Sequence, residues 1–196
     1  MLIGDAQSGF SFISLTIQLG EIDKLVKERD NAYADPPRKD VEQIGRNLLV
    51  NGTWSRTDVD RFVEAVFRWG KGDRNLARVK NSPHLAKLLK ESSNQVGRSK
   101  RNASTVAEAI WGLSSNVQQL GPSFASKLLR FLYPNDVVIY DSIIRFGLGL
   151  PEEPRGYIAF HNACRTIQGG LADKGTHVDL SDVEAAVFMK LRKKTY

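Results

Sequence analysis

Three observations predict an all-α fold. Apolar residues recur at helical spacing along most of the chain, Gly, Pro and Asn-Gly break that spacing into short segments, and only residues 137–140 resemble a strand. Four residues are too few to require a sheet. At 196 residues, with 41% hydrophobic and 26% charged side chains, the chain has a globular composition and enough length for a substantial core. One domain over 1–196 is expected, and any division into lobes falls at 1–97 and 98–196.

Taken in order, Ile13, Leu15, Ile17, Leu19, Ile22, Leu25 and Val26 predict a helix through about residue 29, before Asp35-Pro36-Pro37 interrupts the chain. A second helix is expected over 38–50, stopped by Asn51-Gly52. Thr57 is placed to cap a third, whose apolar side is Phe62, Val63, Val66, Phe67 and Trp69 and which ends at Gly70. The stretch KGDRN reads as a loop. Ser82-Pro83 opens a helix that buries Leu85, Leu88 and Leu89 and ends near Ser93, and NQVGRSKRN reads as an exposed hinge. Further helices are expected over 104–113, 123–133, 141–148 and 155–168. Ser181-Asp-Val-Glu184 has the spacing of a capping box, which predicts the start of the last helix.

A net charge of +6 and a pI near 9.5 favour a polyanionic partner, because released phosphate counterions drive binding. Cys164 is the single cysteine, so neither an intrachain disulfide nor a four-cysteine metal site can form. Cys164 and His161 are three residues apart without an orienting acid, so Cys164 reads as a small core residue. His84, His161 and His177 lack metal-ligand spacing, and there is no Gly-rich phosphate loop. The amino-terminal stretch lacks a basic region, and no run of about 20 apolar residues occurs. A cytoplasmic, monomeric protein is expected.

The chemistry concentrates in QLGPSFASKLLRFLYPNDVVIYDS. Leu120-Gly121 makes a tight turn and Pro122 suits the first position of a helix, which leaves backbone N–H groups free to hold a phosphate. Phe124, Ala125, Leu128, Leu129 and Leu132 are expected to face the core, with Ser123, Ser126, Lys127 and Arg130 on a polar, basic side. Asp141 closes an apolar run, where it either caps the next helix or does chemistry.

VQQLGPSFASKLL followed by VVIYDSIIR resembles the helix-hairpin-helix DNA glycosylase superfamily, on Gly121, Ala125 and an acid 20 residues beyond the hairpin glycine. The likeness covers about 104–146, and its wording is most similar to compact 8-oxoguanine-glycosylase-like proteins. It implies an enzyme that flips a damaged or modified base out of double-stranded DNA and cuts the base–sugar bond. Asp141 would stabilise the oxocarbenium-like sugar and position water. Gln119 stands where the motif usually has its first glycine, and Ser123 stands where bifunctional members carry a nucleophilic lysine. A hydroxyl forms no Schiff base, so the resemblance implies a monofunctional enzyme; Lys127, one helical turn on, is the alternative amine or a phosphate contact.

Gln119, Gly121, Ser123, Lys127, Arg130 and Arg145 are the implied DNA contacts, with Arg74, Lys100 and Arg101 as further basic residues along the backbone. Trp54, Trp69 and Tyr157 are the aromatic candidates for the base pocket. No cofactor is required, although a monovalent or divalent ion can sit at such a hairpin. Oxidised guanine comes first among substrates, with modified cytosine, alkylated purine or a modified phage base as alternatives. A non-catalytic DNA-binding module and a helical interaction protein are the competing classes.

Overall fold

The structure, a computed structural model, describes residues 19–98 and 102–195. A 3-10 turn at Leu19–Glu21 leads into α1 (Ile22–Ala32), followed by α2 (Arg38–Asn51), α3 (Arg56–Trp69), α4 (Asp73–Lys80) and α5 (Leu85–Arg98). Then come α6 (Ala103–Asn116), α7 (Pro122–Leu132), α8 (Ser142–Leu148), α9 (Pro154–Ala172) and α10 (Leu180–Thr195). The fold is all-α, and no strand occurs among the described residues. None of the described helices is long and apolar enough to cross a membrane.

Helix α7 is the axis of the arrangement: α2, α3, α5 and α6 all pack on it, while α10 gathers α1, α8 and α9. Every residue from Ala125 to Leu132 is buried. This corrects the expectation of a basic outer face on α7. Ser126, Lys127 and Arg130 turn inward because neighbouring helices surround α7, and each finds a polar partner there. The closest approach is at Gly45 of α2, where a Cβ would sit 2.6 Å from the Phe131 carbonyl oxygen and 3.1 Å from the Phe62 ring. Backbone cannot yield as a side chain can, so Gly45→Ala is expected to cost about 1–3 kcal/mol in urea denaturation by prying α2 from α7.

Several element boundaries move for identifiable reasons. Ser55, not Thr57, caps α3: its Oγ accepts from the Asp58 N–H at 3.2 Å and donates to the Asp58 carboxylate at 2.6 Å. Most of the expected KGDRN loop belongs to α4, which Lys80 ties back to Glu64 at 3.0 Å. Helix α5 runs past Ser93 to Arg98, through much of the expected hinge. Its small residues Ser93 and Gly97 let it lie against Tyr133, whose hydroxyl is 3.0 Å from Ser93 Oγ. Lys100 and Arg101, like Ile13, Leu15 and Ile17, lie outside the described residues.

The capping box does not form. Helix α10 already begins at Leu180, with the Asp182 and Val183 N–H groups donating to the Asp179 carbonyl. Glu184 instead points inward, where its Oε2 accepts from Arg29 Nη1 at 2.9 Å, both side chains buried. Around this pair, Arg38 meets Asp182 at 2.7 Å and Asp30 at 3.2 Å, and Arg130 meets Glu42 at 2.7 Å. Burial, then the nearby Arg29 charge, brings the Arg130 guanidinium down to about 10. Glu184→Ala would leave Arg29 charged in the interior without its partner. A loss of about 3–5 kcal/mol of unfolding free energy is expected.

Candidate active site

The connection from α6 to α7 is short and faces outward. Gln118, Gln119 and Gly121 are exposed, and Gln119 takes the left-handed conformation (φ 64°) that usually calls for glycine. Gln119 therefore makes this turn between α6 and α7 without a glycine. Gly121 caps α7 in extended conformation, and Pro122 follows at the first helical position.

The strand-like run 137–140 pairs with no strand among the described residues: the Val137 N–H donates to the Tyr133 carbonyl at 3.0 Å, and side chains take two further N–H groups. Val138 N–H donates to the Tyr157 hydroxyl at 3.4 Å, and Tyr140 N–H donates to Ser126 Oγ at 3.0 Å. Ser126 in turn donates to the Ser123 carbonyl at 2.8 Å. One serine thus fixes the residue before Asp141 to the first turn of α7. The Tyr140 hydroxyl donates to the Pro151 carbonyl at 2.6 Å, which secures the same segment from the far side.

Asp141 divides its two oxygens. Oδ1 accepts from the Ile144 N–H at 3.1 Å and caps α8, so the structural role foreseen for this acid is present. Oδ2 lies 3.8 Å from Lys127 Nζ. The Lys127 amine also donates to Ser123 Oγ at 2.9 Å and sits 4.8 Å from the centre of the Phe124 ring. Its stem is held by Gly70 at the end of α3, where a Cβ would come within 3.1 Å of Lys127 Cδ. Burial lowers the Lys127 pKa, a push only partly opposed by the negative charges of Asp141 and Glu184.

Both groups line one cavity of about 50 Å³, between α1, the end of α3, α7, the 137–141 segment and α10. Tyr33, Trp69 and Phe188 form its aromatic wall; the Tyr33 ring centre lies 5.3 Å from Trp69 and 5.9 Å from Phe188. Arg29 and Glu184 supply a charged pair beside them. A benzene ring occupies a cavity of about 150 Å³. An aromatic guest must therefore displace a wall residue, and Tyr33, the half-buried member of the wall, is the least confined.

Of the aromatic candidates, the structure brings Trp69 to Asp141 and leaves the other two elsewhere. Tyr157 is fully buried, its ring 5.9 Å from Tyr140 and its hydroxyl pushed well up by burial, so it belongs to the core. Trp54 packs half-buried against the core and does not line this cavity. Arg130 is wholly buried on Glu42 and presents no charge to the surface, contrary to the expectation of a phosphate contact. Arg145 pairs with Glu152 at 2.6 Å on α8, and Arg74 is exposed on α4. Cys164 is fully buried with its thiol pushed up by desolvation. His161, lowered by burial, meets the Asp136 carbonyl at 2.9 Å, so the two form no nucleophile–base pair.

Sequence reasoning missed Arg29, Tyr33, Glu184 and Phe188. A signal existed for two of them: Arg29 continues the buried Ile22 and Leu25 face of α1, and Glu184 follows Leu180 and Val183 on α10. Each charge on an apolar stripe points to burial, but the pairing of the two comes only from the packing of α1 on α10. No family model, curated protein or solved structure matches the chain.

Proposed function

We propose that this protein is a DNA glycosylase that removes a damaged or modified base, with Asp141 and Lys127 as its catalytic residues. The observation that carries the reading is a carboxylate and a desolvated amine 3.8 Å apart in an aromatic-walled cavity, the amine bonded to Ser123 in the first turn of α7, which follows the exposed turn at Gln119 and Gly121. As the bond from C1′ to the base breaks, its electron pair leaves with the base and positive charge develops on the sugar. The Asp141 carboxylate stabilises that charge. The exposed turn at Gln119 and Gly121 and the start of α7 would hold a backbone phosphate.

Two routes complete the reaction. In one, Asp141 orients water onto C1′ and an abasic site is left. In the other, the Lys127 lone pair attacks C1′, its proton passes to Asp141 and from there to O4′ as the C1′–O4′ bond breaks, and the sugar ring opens to an imine. Removal of a C2′ proton then expels the 3′ phosphate and breaks the strand. Burial favours the neutral amine that this second route needs, so the geometry supports Lys127 as nucleophile over a phosphate contact.

End-labelled duplexes carrying oxidised guanine, modified cytosines and alkylated purines, incubated with the protein and borohydride, test both routes. The expected result is base release with a covalent protein–DNA adduct and breaks that need no alkali. Breaks that appear only with alkali, without an adduct, assign the water route. DNA binding with no base released from any duplex rejects the enzyme and leaves a binding module.

A further inference from the structure

We infer that Arg29 and Trp69 read the base that enters the cavity, and that they select a ring offering two adjacent hydrogen-bond acceptors on one edge. The inference rests on the glycosylase reading and adds its specificity. Arg29 is 1% exposed and lines the cavity, its guanidinium carbon 5.5 Å from the Trp69 ring centre; its Nη1 is engaged by Glu184, while Nε and Nη2 have no hydrogen-bond partner among the described residues. Trp69, 3% exposed, lines the same cavity with its indole Nε1 likewise unpartnered.

Nε–H and the neighbouring Nη2–H of a guanidinium point the same way, as two parallel donors that fit a pair of adjacent acceptors. Glu184 on Nη1 fixes the plane of that fork. A buried donor left without an acceptor is costly, so such a site admits rings that accept and rejects rings that present a donor at the same place. Guanine offers O6 and N7 side by side, whereas adenine pairs N7 with a donating amino group. Cytosine offers O2 and N3 side by side. Oxidation of guanine at C8 puts a proton on N7 and breaks its acceptor pair. The donors thus favour a base modified away from an intact O6/N7 or O2/N3 edge.

The test uses the full chain bound to a duplex with a tetrahydrofuran abasic analogue, to which free hypoxanthine, cytosine, adenine or 8-oxoguanine is added. Of the three tryptophan indole N–H resonances, the one missing from Trp69→Phe reports the site. It is expected to shift with hypoxanthine or with cytosine, whichever class is read, and not with adenine or 8-oxoguanine. Arg29→Lys keeps a positive charge opposite Glu184 but loses the fork, so it should fold and bind the responding base about tenfold more weakly or worse. A shift with adenine or 8-oxoguanine as large as with the responding base, no shift with any base, or unchanged base binding in Arg29→Lys would each overturn the inference. Asp141-dependent base release with an unmoved Trp69 resonance rejects this specificity and keeps the glycosylase. A shifted resonance without base release from any duplex keeps base recognition and rejects the catalysis.

Discussion

Asp141→Asn is expected to reduce base release by about a thousandfold or more, while the cap of α8 is kept. At about 1.4 kcal/mol per tenfold, that loss is about 4 kcal/mol of transition-state stabilisation. Asparagine separates the two jobs of this residue. It caps a helix as well as aspartate does, so the bond to the Ile144 N–H and the start of α8 should survive. What disappears is the negative charge that Oδ2 turns toward Lys127. Asp141→Ala removes cap and charge together and is expected to lose about 1 kcal/mol of stability in addition. Measured side by side, thermal unfolding should place alanine below asparagine, which keeps the cap, and base release should be lost in both. Retained release in Asp141→Asn would reduce Asp141 to a helix cap.

The fold class was legible because helical spacing is a local property, and it located nearly every helix. The boundaries that failed turned on partners far along the chain. Nothing within SDVE reveals that its glutamate has an arginine 155 residues away to neutralise, so a local capping pattern lost to a buried ion pair. The face of α7 was misjudged for a related reason. A helix with polar residues on one side ordinarily shows that side to water, but here α2 and α3 cover it, and Glu42, Asp141 and Ser123 replace the solvent.

The same burial bears on the charge of the chain. Arg29 and Arg130 each face an acid inside the fold, so these two pairs cancel and the net +6 is carried by the rest of the chain. A basic exterior and a charge-paired interior coexist, and composition reports only their sum. Of the candidate residues singled out in the sequence, Asp141, Lys127 and Trp69 come together on one cavity. Arg29 and Glu184 stand outside the recognised stretch, and only the packing of α1 against α10 brings them to it.

Lys127→Met is the second large effect expected: loss of the borohydride adduct and of alkali-independent strand breaks, in a protein at least as stable as wild type. Methionine matches the lysine stem in length and flexibility, so the contacts with Gly70 and Phe124 should be kept. Stability then follows from the sign of the titration. Burial holds the folded-state pKa of Lys127 below its unfolded value near 10.4, so between those two values the unfolded chain binds more protons. Wild-type stability should therefore rise as pH climbs through that window, and the methionine variant should lack this contribution. The advantage of methionine is expected to be greatest below the folded pKa and to shrink toward pH 10.4, read from urea midpoints across the range. An adduct that persists in Lys127→Met would assign the imine to another amine. A variant less stable than wild type at neutral pH would mean that the ion pair with Asp141 outweighs the cost of burying the charge.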